Sequence, residues 1–290
     1  MVSHEVIEEL EAHFGEPIQR CDEIGGGCIA NASRVEVGGR VYFLKWSTRG
    51  VSRTFPAEAA GLEALRSAGS PLFIPRVIKV QACEGEKPGI LLMDWIEPGE
   101  KPPDFWEVFG RGLASLHRFT ASRYGFDQDN FIGHIPQQNG WEDSWPTFFA
   151  GKRLGVQVEM ARERGVWQRG WDPQYESLID RLEELLPAYP ESSILHGDLW
   201  SGNFLVTSDG TAALIDPAVY YGHREADLAM TELFGGFSES FYAAYREAWP
   251  LDDGYDERRD VYNLYHLINH LNHFGGSYAA SVASILRRFR

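Results

Sequence analysis

The stretch "HGDLWSGNFLV", residues 196–206, sets Asp198 between a His-Gly pair and a Trp-Ser-Gly-Asn run, and an apolar segment comes directly after. Two glycines, an acid and an amide just ahead of a strand can simply turn a corner and leave the acid solvated. They can also present a carboxylate and an oxygen ligand, Asn203, for chemistry. The next segment favours the second reading. "FLVTSDGTAALID", residues 204–216, reads as a hairpin with its turn at Asp209-Gly210, and it ends on a second acid, Asp216. Two carboxylates and an amide carbonyl are hard oxygen donors, suited to Mg2+ held jointly with substrate phosphates. Carboxylates brought close together repel unless a divalent cation offsets them. In that arrangement Asn203 and Asp216 hold the cation, and Asp198 is left to take a proton from a substrate hydroxyl.

Upstream of this loop lies a β-rich region. "RVYFLKW", residues 40–46, is a good strand and carries Lys45. "TFPAEAAGLEALRSAG", residues 54–69, has helical periodicity, with Gly69 as a stop signal. Glu58 on that helix is the candidate partner for Lys45, with Glu63 the second choice; such a lysine can reach nucleotide phosphates. "EIGGGCIANAS" places Gly25, Gly26, Gly27 and Cys28 in a strand turn. Successive glycines let backbone N–H groups approach phosphate oxygens. The segment is not a Walker A loop, because it lacks the Gly-Lys-Ser/Thr ending. Cys28 is a packed thiol or, on the sharper reading, a redox-sensitive one. "ILLMDWIEPG", residues 90–99, is a strand running into a hinge. There Met93 would back a pocket, and the backbone of Asp94, Trp95 and Ile96 would meet an adenine edge.

Residues 1–14 read as a surface helix, and "RVIKVQACEGEKPGILLMDWI" as two strands around a Gly-Pro turn. The character changes after about residue 104. "FWEVFGRGLASLHRFT" is strongly amphipathic, 124–150 is aromatic-rich and irregular, and helices are expected near 151–168, 174–187 and across "DVYNLYHLINHLNHF". The division is therefore a β-rich lobe over 1–97 and a helical lobe over 98–290. His266, His270 and His273 share a helix face, but no carboxylate accompanies them, so packing is preferred to metal binding. His117 is read as structural, and His196 as a group that orients the acid loop without being the base.

The net charge of -15 over 290 residues disfavours nucleic acid and anionic membrane surfaces as main partners. Three cysteines, an odd and sparse set, give no disulfide framework and point to a reducing compartment. With no signal-peptide pattern and no apolar run long enough to span a bilayer, a cytoplasmic location is expected. Oligomeric state is left open.

With these parts in order, the chain resembles the fructosamine kinases, also called ketosamine 3-kinases. The matching stretches are "GGGCIA", "FLKW", the glutamate of "FPAEAAGLEAL", "LLMDWI", "LHGDLWSGN", "LIDPAVYYGHREADLAMTELFGGF" and "LYHLINHLNHFG". The resemblance implies an α+β, protein-kinase-like fold of two lobes. It implies ATP and Mg2+ as cofactors and transfer of phosphate to O3 of a ketosamine. It makes Asp198 the catalytic base, Asn203 and Asp216 the metal ligands, and Lys45 with Glu58 the phosphate-positioning pair. Trp200 would pack against the sugar, and His223, Arg224 and Glu225 would shape the substrate side. Asp227, with helix-cap chemistry, would brace the catalytic loop. Rival readings are another small-molecule kinase of the same fold, acting on an aminoglycoside, choline or homoserine, and a catalytically silent nucleotide-binding module.

Overall fold

Strand β3 (Arg40–Ser47) alternates its side chains, and that alternation organises the first lobe. Tyr42, Leu44 and Trp46 face one side, where they bury against Val6 and Leu10 of helix α1 (His4–Phe14). Phe43 and Lys45 face the other side, toward helix α2 (Thr54–Ser67). The computed structural model describes residues 2–25, 30–48, 54–85 and 87–289. In it β3 is the middle strand of a five-stranded antiparallel sheet, with β1 (Arg20–Ile24), β2 (Asn31–Val37), β4 (Val77–Gln81) and β5 (Gly89–Asp94), in the order β1-β2-β3-β5-β4. β5 is buried on both faces: Ile90 and Leu92 pack toward α1, Leu91 and Met93 toward α2. A continuous apolar run is what such a doubly covered strand requires.

The second lobe is mainly helical. Helix α3 (Phe105–His117) packs closely on α9 (Glu239–Ala248), where a Cβ on Gly110 would stand 2.2 Å from the carbonyl oxygen of Phe241. The long helix α10 (Tyr255–Phe274) lies against α8 (Glu225–Leu233) and α5 (Val156–Glu163). A small sheet of β12 (Tyr220–His223), β9 (Ser192–Leu195) and β6 (Thr120–Ala121) leads into the 196–203 loop. The hairpin β10 (Phe204–Val206) and β11 (Ala212–Leu214) leaves it, turning at Gly210 with φ 83°.

The lobes are not packed independently. Phe55, Leu62 and Leu65 of α2 share one apolar cluster with Phe109 and Leu113 of α3 and with Leu199, Leu214 and Val219. Phe73 also exchanges backbone hydrogen bonds with Ala212 and Leu214, at 2.9 Å each. α2 therefore reports the position of one lobe directly to the other. No helix among the described residues is long and apolar enough to cross a membrane.

Several expected elements differ in extent. The 124–150 region contains a small hairpin, β7 (Asn130–Ile132) with β8 (Ile135–Gln137), and a short helix α4 (Trp145–Phe148). The helix expected over 151–168 opens as a π-helical segment over 149–155 and becomes α-helical only from Val156. It stops at Glu163, with Gly165 in the left-handed region. The wider winding coincides with the burial of Arg153, whose guanidinium lies 3.9 Å from the Tyr220 ring centroid and donates to Asn139 Oδ1 at 2.7 Å. The helix expected over 174–187 is two pieces, α6 (Asp172–Asp180) and α7 (Leu182–Leu185).

Candidate active site

The sheet alternation that buries Leu44 turns Lys45 into the space between the lobes. Its Nζ donates to Glu58 Oε1 at 2.7 Å and also to Asp216 Oδ1. Burial by itself would discharge the ammonium, but the two carboxylates outweigh that and raise its pKa above the ordinary lysine value. A strand lysine, a helix glutamate and an acid 171 residues further along the chain thus meet at one point. Glu63, the second choice on the helix, is not part of this cluster; its backbone carbonyl accepts the Ser67 hydroxyl within its own helix.

The 196–203 loop is held by an acid from the following helix and by one of its own rings. Asp227 accepts the backbone N–H groups of His196 (2.7 Å) and Gly197 (2.9 Å), and the His117 ring at 3.2 Å. Asp227 is buried, which works against its charge, yet these donors outweigh burial and hold its carboxyl below the usual range. His117 must donate Nε2–H to that acid, so its Nδ1 accepts the Tyr245 hydroxyl at 2.8 Å. Burial lowers the pKa of His117 and of His196, which favours neutral rings. His196 Nε2 is 2.9 Å from the Ile215 carbonyl oxygen, and that contact makes Nδ1 the acceptor for the Asp198 N–H at 3.3 Å. One ring thus ties the acid loop to the residue before Asp216.

Gly197 is required here: its φ is 80°, and a Cβ would stand 2.0 Å from the Ala218 carbonyl oxygen. The hydrogen bonds to His196 and Gly197 are the loop bracing expected of Asp227, and only its helix-cap chemistry is corrected. Its carboxylate serves the loop N–H groups, and it lies inside α8 while Arg224 occupies the cap position. Asp227→Ala would orphan two buried N–H groups and the His117 donor, at about 1–3 kcal/mol each. Urea denaturation is expected to show a stability loss of about 3 kcal/mol or more.

Asn203 Nδ2 donates to the Asp198 carbonyl (2.8 Å) and to Asp198 Oδ2 (3.1 Å). That leaves Asn203 Oδ1, and likewise Asp216 Oδ2, without a hydrogen-bond partner among the described residues. Both are hard oxygens, and Asp216 is half exposed. The donor set therefore fits Mg2+ shared with phosphates. Asp216 alone among the described non-glycine residues has positive φ, at 55°. Such backbone strain is commonly found at functional positions. Burial pushes Asp198 up to about 7, against the lowering effect of its Asn203 hydrogen bond.

The hinge expectation is narrowed. Met93 is buried behind the strand, but the Asp94 N–H is spent on the Arg76 carbonyl at 3.0 Å, and the Asp94 carboxylate accepts the Arg76 N–H. Among the described residues the backbone groups of Trp95 and Ile96 have no such partners. A cavity of about 360 Å³ opens beside them, lined in part by Ile96, Lys101, Ser201 and Leu205. Leu205 is 43% exposed within this cleft, and sequence reading missed it. Its only signal was an apolar residue on the outward face of a short strand. Gly25 lies at the end of β1; Gly26, Gly27 and Cys28 lie outside the described residues.

Three expected substrate residues are corrected. His223, Arg224 and Glu225 are buried. His223 binds the Tyr262 hydroxyl (2.7 Å), Arg224 the Trp249 and Pro250 carbonyls, and Glu225 makes a two-pronged ion pair with Arg258 at 2.6 and 2.8 Å. Their polar atoms are committed to the lobe interior, so direct substrate contact is closed to them. Trp200, in contrast, is 39% exposed.

A five-stranded lobe with a lysine–glutamate pair, facing a helical lobe with an Asp–Asn loop and a strand-end acid, defines a phosphotransferase of the protein-kinase-like class. An aminoglycoside phosphotransferase solved with AMP-PNP and hygromycin B shares the fold at TM-score 0.68 and 16% identity, covering 98% of each chain. The chain itself belongs to the fructosamine kinase family, whose sequence profile matches residues 2–290. It is 39% identical over 289 residues to a probable ketoamine kinase of Synechocystis sp., covering 98% of this chain and 95% of the relative. It is 37% identical over 279 residues to the chloroplastic protein-ribulosamine 3-kinase of Arabidopsis thaliana, covering 93% and 82%. A solved structure from Thermobifida fusca, assigned as a fructosamine-3-kinase, superposes at TM-score 0.87 with 31% identity, covering 99% and 98%. The protein is accordingly an ATP-dependent phosphotransferase with an alcohol acceptor.

Proposed function

We propose that the protein transfers the γ-phosphate of ATP to O3 of ketosamines, with Asp198 as the base. The observation that carries the residue roles is the joint placement of Asp198 and Asn203. One amide holds the loop acid through Nδ2 and keeps its oxygen for a cation. Phosphoryl transfer asks a protein chiefly for alignment and charge neutralisation. Lys45, kept charged by Glu58, supplies a fixed cation for the nucleotide phosphates. Asn203 and Asp216 would hold Mg2+, which when bound neutralises charge on the β- and γ-phosphates. Trp95 and Ile96 offer backbone groups to adenine, with Leu205 lining the same cleft, and Gly25, Gly26, Gly27 and Cys28 are assigned to the phosphates from the sequence alone. Trp200 meets the sugar. The lobe division is placed between residues 97 and 98, and the cytoplasm fits the bacterial relatives and the sparse cysteines.

In the transfer, Asp198 takes the proton of the O3 hydroxyl, O3 bonds to the γ-phosphorus, and the bond to the β,γ-bridging oxygen breaks to release ADP. A base with pKa near neutrality is well placed for this exchange. In the product, C3 lies next to the C2 carbonyl and carries phosphate, a far better leaving group than hydroxide. Enolisation toward C1 expels phosphate, and hydrolysis then frees the amine. The elimination requires no further enzyme, so the outcome is reversal of early glycation.

Side-by-side assays with ribulosyl-lysine, fructosyl-lysine and an aminoglycoside test the reading. ATP consumption is expected with one or both ketosamines and not with the aminoglycoside. Turnover confined to the aminoglycoside would overturn it.

A further inference from the structure

A row of rings leaves the site at Trp200, and nothing in the phosphoryl transfer uses most of it. The Trp200 backbone N–H donates to the Asp198 carbonyl at 3.2 Å, so the row begins beside the base. Phe234 stands edge-on to the Trp200 indole at 6.4 Å between centroids, and His270 lies 4.9 Å beyond Phe234. Phe274 and Tyr278 then lie 5.7 and 5.0 Å from His270, and 6.0 Å from each other. Phe234 is 40% and Phe274 65% exposed, so these are large apolar faces left in water. Small residues make room for the row's inner end. A Cβ on Gly202 would strike the Trp200 ring at 2.3 Å, and one on Gly236 would meet Ser201 at 2.6 Å.

His270 adds a polar atom to the row. Its Nδ1 is 2.8 Å from the His266 carbonyl oxygen, one helical turn back, and must donate to it. Nε2 is then a lone-pair acceptor, with no partner among the described residues. Burial lowers this ring's pKa, which keeps it neutral and accepting. Ring faces suit an apolar stem that carries an ammonium at its inner end, and a neutral imidazole acceptor further out suits a peptide N–H.

We propose that the row from Phe234 through His270 to Phe274 and Tyr278 is the subsite for the amine-bearing half of the ketosamine, a lysyl side chain with its flanking peptide. The inference rests on the ketosamine reading of the site. A ketosamine has a cationic secondary amine at C1, two carbons from the O3 that faces Asp198. The amine substituent must therefore leave the site near the base, and this row starts there. It also makes the occupant specific: the sugar end is fixed at Trp200, and only the aglycone extends outward.

The test compares two adducts with the same sugar, ribulosyl-methylamine and a peptide containing ribulosyl-lysine, in wild type, Phe274→Ala and Phe274→Tyr. Phe274 is a surface side chain, so the fold tolerates both changes. In Phe274→Ala the loss in kcat/KM for the peptide adduct is expected to exceed that for the methylamine adduct about tenfold, through KM, and Phe274→Tyr restores it. Equal losses for the two adducts, or no loss, would overturn the subsite while leaving the ketosamine reading intact. A wild type that phosphorylates neither adduct would remove both. If wild type is dimeric, Phe274→Ala monomeric and adduct preference unchanged, the row belongs to self-association and the subsite is wrong.

Discussion

Asp198→Ala is expected to lower kcat by about 10²- to 10⁴-fold, the range that a positioned general base contributes, while affinity for MgATP largely survives. The separation comes from how Asn203 is held. Its Nδ2 keeps the bond to the backbone carbonyl of residue 198, at 2.8 Å, even when the side chain is gone. The Asn203 oxygen that we propose faces the metal therefore stays in place. The loop itself is anchored by Asp227 and His196, neither of which depends on the Asp198 carboxylate. Asp198→Asn keeps the volume and loses only the base, so it should fall by a similar factor. Initial rates at saturating ribulosyl-lysine, beside calorimetric titration with MgATP, read the two quantities separately. Turnover close to wild type in either variant contradicts the assignment.

Lys45→Ala is expected to cost about 10²- to 10³-fold in kcat/KM for ATP, comparable to removing one fixed donor from a developing charge. The loss differs in kind from that of Asp198→Ala, because it falls on the nucleotide phosphates. It also leaves Glu58 buried opposite Asp216 with no cation between them. An unpaired buried carboxylate takes up a proton rather than stay charged. Glu58→Gln is the informative companion: it keeps Lys45 bound to Asp216 and should therefore lose less than Lys45→Ala. Rates measured across ATP concentration decide the matter, and an unchanged KM for ATP in Lys45→Ala would contradict the phosphate role.

The sheet lobe is readable in the sequence because its strands alternate or run apolar and Gly38-Gly39 marks a turn, and the hairpin after the acid loop because Asp209-Gly210 marks another. Lys45 and Glu58 stand out by their order upstream of the acid loop, and the structure brings them to 2.7 Å. What is illegible is long-range and chemically ordinary in the sequence. Nothing local in His117, Tyr245 or Asp227 says that they form one chain of hydrogen bonds behind the loop. The "HRE" run looks like substrate chemistry, yet each member is spent inside the lobe, with Arg258 arriving from a distant helix to meet Glu225. The π-helical winding at 149–155 has no periodicity signature, since it goes with seating Arg153 against Tyr220. The three helix histidines are separated only by the fold. His266 is buried, His270 lies in the ring row, and His273 is 3.2 Å from the Ile132 carbonyl oxygen.

A crystal structure of the protein with a non-hydrolysable ATP analogue, manganese and ribulosyl-lysine tests the central claim most directly. Anomalous scattering is predicted to place the ion on Asn203 Oδ1 and Asp216, with Lys45 on the phosphates and Asp198 within hydrogen-bond reach of the sugar O3. An ion ligated by Asp198, or a sugar whose O3 points away from that carboxylate, would contradict it.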